Sequence, residues 1–243
     1  MIESAFLRPY HDVRGGYVHI SPEQASRFAK GIAGDFNPIH DPHSKRFCVP
    51  GDLLFALVLA RYGVSASMHG RFVGMVGDGV ALVFPEEPGS HIVITDAQGK
   101  AYLEVERAGP VVTDPYTIEA LTRSYASFSG ENFPHVLVPL MERHQVMVNP
   151  ARPLVIYERM SLELQTPVGG LTETVQPRLE SAEMQVDGKR ADVRLDYALC
   201  VEGDPFARGS KHLVLSGLRP FDPEVMRAME AQYAGWKEAY QAG

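Results

Sequence analysis

Cysteine is scarce in this chain: Cys48 and Cys200 are the two present among 243 residues. Two thiols supply neither a disulfide framework nor a zinc ligand set, so a reducing compartment, the cytoplasm, is expected, with both as buried thiols. Positive charge is also short, 23 Lys and Arg against 30 Asp and Glu, for a net charge of −7. That balance argues against nucleic acid or an anionic membrane as a partner, because both select clustered cations. Long apolar runs are missing too. The longest, Leu53 to Ala60, is far short of the roughly twenty residues a membrane span needs. The opening MIESAFLRPYHD carries Glu3, Arg8 and Asp12 and lacks the apolar core of a secretory signal. What remains, 45% hydrophobic and 22% charged residues, is the composition of an ordinary globular chain of one large or two small domains.

The first start signal is Ser21-Pro22-Glu23-Gln24. Serine can cap free N–H groups, proline suits the first helical position and Gln24 completes a capping box, so a helix is expected over 22–33 and ends at Gly34. After a turn-rich loop, GDLLFALVLARYG is apolar on nearly every side and closes on Gly63, which describes a helix that must be surrounded. Residues 71–108 then break into β-rich pieces, RFVGMVGDGVALVF, HIVITD and KAYLEVER, with a turn at Asp96-Ala97-Gln98-Gly99. The implied unit is a long sheet wrapped around a buried helix.

The second half repeats this grammar. Asp114-Pro115 opens a helix expected over 115–128, Ser129-Gly130-Glu131-Asn132-Phe133-Pro134 echoes Ala33-Gly34-Asp35-Phe36-Asn37-Pro38, and Asp187-Gly188-Lys189 turns into the alternating strand ADVRLDYALCV. The preserved order, at an offset of roughly ninety residues, points to a duplication. Asp222-Pro223 begins a terminal helix packed on the surface.

Chemistry concentrates in Gly34-Asp35-Phe36-Asn37-Pro38-Ile39-His40. Proline fixes its own φ and biases Asn37 towards an extended conformation, so a stiff loop presents a carboxylate and an imidazole. With ordinary pKa values of about 3.9 and 6.5, both can stand unprotonated near neutral pH and share a water. The competing reading is structural, since Asp and Asn cap turns and His fills polar gaps. Gly51, at the start of the buried helix, offers free N–H groups and the positive end of a dipole to a developing oxyanion; equally, it is a turn glycine.

FAKGIAGDFNPIH together with VPGDLLFALVLA resembles the MaoC-like (R)-specific enoyl-CoA hydratases, strongly over residues 17–63. The resemblance implies an α+β double hotdog: two tandem units, each a long antiparallel sheet wrapped around a central helix. Residues 1–109 would carry the motif, and residues 110–243 would form a degenerate second unit with the terminal helix. It further implies that Asp35 and His40 activate water, that Asn37 orients the turn, and that the Gly51 N–H holds the thioester oxygen. The activity implied is addition of water to a trans-2-enoyl-CoA or enoyl-ACP, giving an (R)-3-hydroxyacyl thioester. The family usually has histidine before that glycine and an apolar residue after it; here stand Pro50 and Asp52. A carboxylate at 52 opposes negative charge on the thioester oxygen unless it points away or is paired.

In the second half the register slips, with Glu131 and His135 four apart instead of five, so that copy is read as decayed, the other reading being a second acid site there. A metal cluster of Asp35, His40, Asp41 and His43 lacks a third histidine at a ligand spacing, and no metal or cofactor is expected. Gly74, Gly77 and Gly79 lack the lysine of a phosphate loop and read as a turn. Cys48 lacks a base at a defined distance and reads as a core residue, and His91, His144 and His212 carry no motif. Lys45 and Arg46 follow the motif as candidates for the phosphorylated end of CoA or as solvated loop charges. The partner expected is an acyl-CoA or acyl-ACP thioester, with homodimer formation through exposed sheet edges. The rival readings are an acyl-CoA thioesterase, which aims the same water at the carbonyl carbon, and a non-catalytic acyl-thioester-binding protein.

Overall fold

The computed structural model describes residues 4–165 and 174–242. Helix α1 (Pro22–Phe28) starts on the expected capping box: Ser21 Oγ accepts from Gln24 N, and the Gln24 side chain accepts from Ser21 N. A π-helical turn, Ala29–Ala33, extends it to Gly34, whose φ of 66° ends the helix in the left-handed region that glycine tolerates. Helix α2 (Gly51–Tyr62) buries every residue except Gly51 and Arg61 and stops at Gly63, as its all-round apolarity requires.

Among the described residues, ten strands form one antiparallel sheet, and two more a short separate pair. The first half contributes β1 (Asp12–Arg14), β2 (Tyr17–His19), β3 (Val64–Phe72), β4 (Ala81–Val83), β5 (His91–Asp96) and β6 (Ala101–Val112). A two-residue strand, β7 (Val146–Met147), pairs only with β12 (Arg219–Pro220). The second half contributes β8 (Val155–Leu164), β9 (Gln176–Asp187), β10 (Arg190–Val201) and β11 (Asp204–Ser216). The order is β1-β2-β4-β5-β6-β3-β8-β11-β10-β9. Read outward from the β3–β8 seam, β3-β6-β5-β4 on one side mirrors β8-β11-β10-β9 on the other, with β2 and β1 added beyond β4. The same topology occurs twice, with Gly70 opposite Met160 at the join.

β10 alternates as its sequence indicates from Ala191 through Val193 and Leu195 to Tyr197; beyond that Ala198, Leu199 and Cys200 are all buried and Val201 is half-buried. The turn at Asp96–Gly99 is also present, held by Asp96 Oδ1, which accepts from Gln98 N and Lys100 N. In contrast, RFVGMVGDGVALVF is not continuous strand. β3 begins earlier, at Val64, and residues 73–80 form a loop whose Val76 carbonyl accepts from Val49 N.

The largest departure from expectation is helix α3. It runs Pro115–Asn132, passes through a π-helical turn at Phe133–Leu137 and continues as α4 (Val138–Arg143), so the stretch read as an echo of the first-half loop is helical. Pro134 has no N–H to give the ladder, and the widened turn absorbs the defect without ending the helix. His135 therefore stands on a helix, and 129–135 form no loop like 34–40; the Glu131 side chain lies outside the described residues. The two echo glycines nevertheless meet. A Cβ on Gly130 would collide with the Ala33 carbonyl oxygen and the Gly34 backbone. The terminal helix α5 (Pro223–Ala242) packs over this junction, its Tyr233 hydroxyl accepting from Phe36 N and lying 3.3 Å from both the Gly34 and Gly130 carbonyl oxygens.

Candidate active site

The 34–40 loop is held by its own polar groups. Asp35 N donates to Ala29 O, which anchors the loop to the preceding π turn. Asp35 Oδ1 accepts from Asn37 N at 2.9 Å, a turn that short carboxylate and amide side chains favour. Asn37 Oδ1 then caps the short helical turn Pro38–His40 by accepting from Ile39 N, and its Nδ2 donates to Val155 O across the seam. Asn37 thus ties the loop to its own backbone and to β8.

His40 is buried, and its Nδ1 lies 2.7 Å from the Cys48 carbonyl oxygen. A carbonyl only accepts, so Nδ1 carries a hydrogen, and in the neutral ring the lone pair is on Nε2. That Nε2 stands 3.7 Å from Asp35 Oδ2, too far for a direct hydrogen bond yet close enough for one water to touch both atoms. The two side chains are on the same side of the loop. Burial pushes the Asp35 carboxyl above the ordinary carboxylate range; His40 and the Asn37 N–H pull it back only in part, while Asp52 adds to the rise.

Both groups line a cavity of about 550 Å³, within the usual range for small-molecule sites. Its walls are mainly apolar, among them Ile39, Leu54, Phe72, Val76 and Leu137, and no lysine or arginine lines it among the described residues. The 73–80 loop and α5 complete it, through Met75 and Val76 on one side and Tyr233 and Trp236 on the other. Gly51 also lines it. A Cβ there would lie 2.8 Å from the Phe72 ring, which would have to shift, and the Gly51 N–H meets no acceptor among the described residues.

Asp52, the departure noted in the sequence, does not face the cavity. Its Oδ1 accepts from Lys211 Nζ at 2.8 Å and its Oδ2 from Ser129 Oγ at 2.5 Å; Lys211 also donates to Ser129 Oγ and to Tyr125 O, and Tyr125 donates back to Asp52 O. Desolvation pulls the wholly buried Lys211 ammonium down, and Asp52 opposes it. The carboxylate is paired and turned inward, so it sets no unpaired charge at the helix mouth. Sequence reading missed this cluster, although the signal was there: Lys211 occupies an inward position in the alternation with Leu213 and Leu215.

Also missed were Ser129, Asn132 and Tyr157, which line the cavity from the second half. Asp41 is drawn off to Lys30 at 2.6 Å, away from any metal set. Burial raises the Cys48 thiol to about 11, so it stands as a protonated thiol at neutral pH. Lys45 and Arg46 are exposed on the following loop.

These features define an α+β protein with a buried carboxylate–imidazole pair set in an apolar cavity. The profile of the family described as "Protein of unknown function (DUF3581)" matches residues 5–224, and the chain belongs to that family. No curated protein matches by sequence. Among solved structures, the acyl-CoA thioesterase II TesB2 of Mycobacterium marinum is similar at 12% identity over 71% of this chain and 91% of that one, with a TM-score of 0.41. The peroxisomal multifunctional enzyme type 2 of Drosophila melanogaster is similar at 12% identity over 85% of this chain and 48% of that one, TM-score 0.44. HtdX of Mycobacterium tuberculosis is similar at 13% identity over 82% and 98%, TM-score 0.35. No helix of the described residues is long and apolar enough to cross a membrane.

Proposed function

We propose that the chain is a double-hotdog acyl-thioester hydratase/dehydratase that adds water to a trans-2-enoyl thioester, with Asp35 and His40 as its acid–base pair. The observation that carries the reading is the free Nε2 of His40 facing Asp35 Oδ2 at 3.7 Å inside an apolar cavity. The repeated strand order and the Gly34–Gly130 contact support the tandem architecture, with one competent unit and one whose loop has become helix.

In the forward reaction the pair holds one proton and one water. The member without the proton takes one from water as the oxygen attacks the β-carbon; the member with it protonates the α-carbon, which leaves the pair again with one proton. Negative charge on the thioester oxygen between these events is met by the Gly51 N–H at the positive end of α2. The absence of cations from the described cavity wall suits an uncharged acyl group, and Lys45 and Arg46 lie outside it for the phosphates of the carrier.

A panel of trans-2-enoyl-CoA thioesters tests the proposal. Loss of the conjugated enoyl absorbance with the thioester intact supports hydration; release of free CoA instead assigns the same water to the carbonyl carbon, as in a thioesterase. Tight binding without turnover by the native protein leaves a binding function and rejects catalysis.

A further inference from the structure

Among the polar groups of the cavity that the proposed reaction does not use, one stands apart: the Asn132 amide. Asn132, at the end of α3, is 2% exposed and lines the cavity, and neither its Nδ2 nor its Oδ1 has a hydrogen-bond partner. A buried amide left wholly unpaired opposes folding, and native structures rarely keep one without a ligand or water to complete it. Its surroundings are already committed. Ser129 Oγ is taken by Lys211 and Asp52, and that buried cluster fixes the last turns of α3 against α2 and β11. The Tyr157 phenol stands on the cavity wall close enough to Ser129 and Asn132 to interact with both side chains, but not in the geometry of a full hydrogen bond to the Asn132 amide. Asn132 is also more deeply buried than Asp35 or His40, and the exposed wall residues include Met75, Gln232 and Trp236.

Resting on the hydratase reading, we infer that Asn132 is a receptor for an oxygen substituent on the acyl group, so that the substrate class is a hydroxylated acyl thioester and not a plain fatty one. A hydroxyl fits an unpaired amide because it donates to Oδ1 and accepts from Nδ2 at once. A site built this way discriminates strongly against the ligand that lacks the group, since that ligand leaves the amide unpaired and dry.

The test is calorimetric binding of saturated acyl-CoAs, which cannot be hydrated: octanoyl-CoA against octanoyl-CoAs bearing one hydroxyl at successive chain positions beyond the β-carbon. At least one hydroxylated member should bind the native protein about tenfold more tightly than octanoyl-CoA. In Asn132→Leu that preference should vanish, and the ligand-free variant should melt higher than native protein because the orphaned amide is gone; Asn132→Ala serves as a second, smaller replacement. Equal binding across the native panel overturns the inference, as does a preference that survives both substitutions, or a marked fall in the melting temperature of the ligand-free Leu and Ala variants. The same acyl groups as methyl esters separate the two claims: a hydroxyl preference among esters with no binding of any CoA ligand keeps the receptor and sinks the thioester reading, whereas binding of every CoA ligand without preference does the reverse. No binding by either series overturns both.

Discussion

At the scale of single residues, the account rests on two side chains with one line of sight between them. His40 is oriented by a backbone carbonyl, and Asp35 by a backbone N–H two residues on, so neither depends on the other for position. Removing either therefore leaves its partner in place. Asp35→Asn and His40→Ala should each lower enoyl-CoA hydration by roughly 100- to 10,000-fold in steady-state assays while circular dichroism stays native. Asp35 also carries a cost to stability. Because burial raises its folded pKa, the neutral carboxyl is the form the fold favours, and stability is lost as pH climbs through the unfolded value towards the folded one. Asp35→Asn keeps the acceptor for Asn37 N and abolishes that loss. Its melting temperature should match native protein near pH 3 and exceed it near pH 7, in scans at both values. An equal difference at the two values would contradict the burial argument.

At the scale of elements, the glycine where α3 meets the first-half loop tolerates no side chain. A Cβ at Gly130 strikes backbone atoms of Ala33 and Gly34, which cannot swing aside as a side chain can. Gly130→Ala should cost about 3 kcal/mol in urea unfolding, whereas Gly77→Ala, with nothing near its Cβ, should cost less than about 1 kcal/mol. The contrast shows what the sequence could disclose. The first-half elements were legible because each has its own local chemistry: the Ser21 capping box, the Gly34 and Gly63 stops, and the apolar girth of α2. The start of α3 at Asp114-Pro115 was legible too, but its continuation past 128 into α4 was not, because Gly130 and Pro134 are local breakers that tertiary packing and a π-helical turn override. Likewise, Asp35, Asn37, His40 and Gly51 lie close together in sequence and could be read as a site. Asn132, Tyr157 and Lys211 reach it only through long-range pairing, and of these only the alternation around Lys211 left a local trace.

At the scale of the whole molecule, two half-sheets share the β3–β8 seam and a buried ion pair. Asp52 comes from the first half and Lys211 from the second, so breaking the pair strands a charge between them. Lys211→Met alone should destabilise by about 3–5 kcal/mol, and adding Asp52→Leu should recover most of it, a coupling a double-mutant cycle measures. The same connection makes the halves unfold together. Sheet circular dichroism and the fluorescence of Trp236, the one tryptophan, on α5, should trace one coincident transition. Two separated transitions would show that the seam and ion pair do not couple the halves.

The most direct measurement is the fate of a trans-2-enoyl-CoA presented to native protein and to Asp35→Asn. The account predicts that native protein consumes the enoyl chromophore while the thioester persists, and that the variant, folded and at equal concentration, does so at least about 100-fold more slowly. Equal rates from the two proteins, or free CoA as the native product, would contradict it.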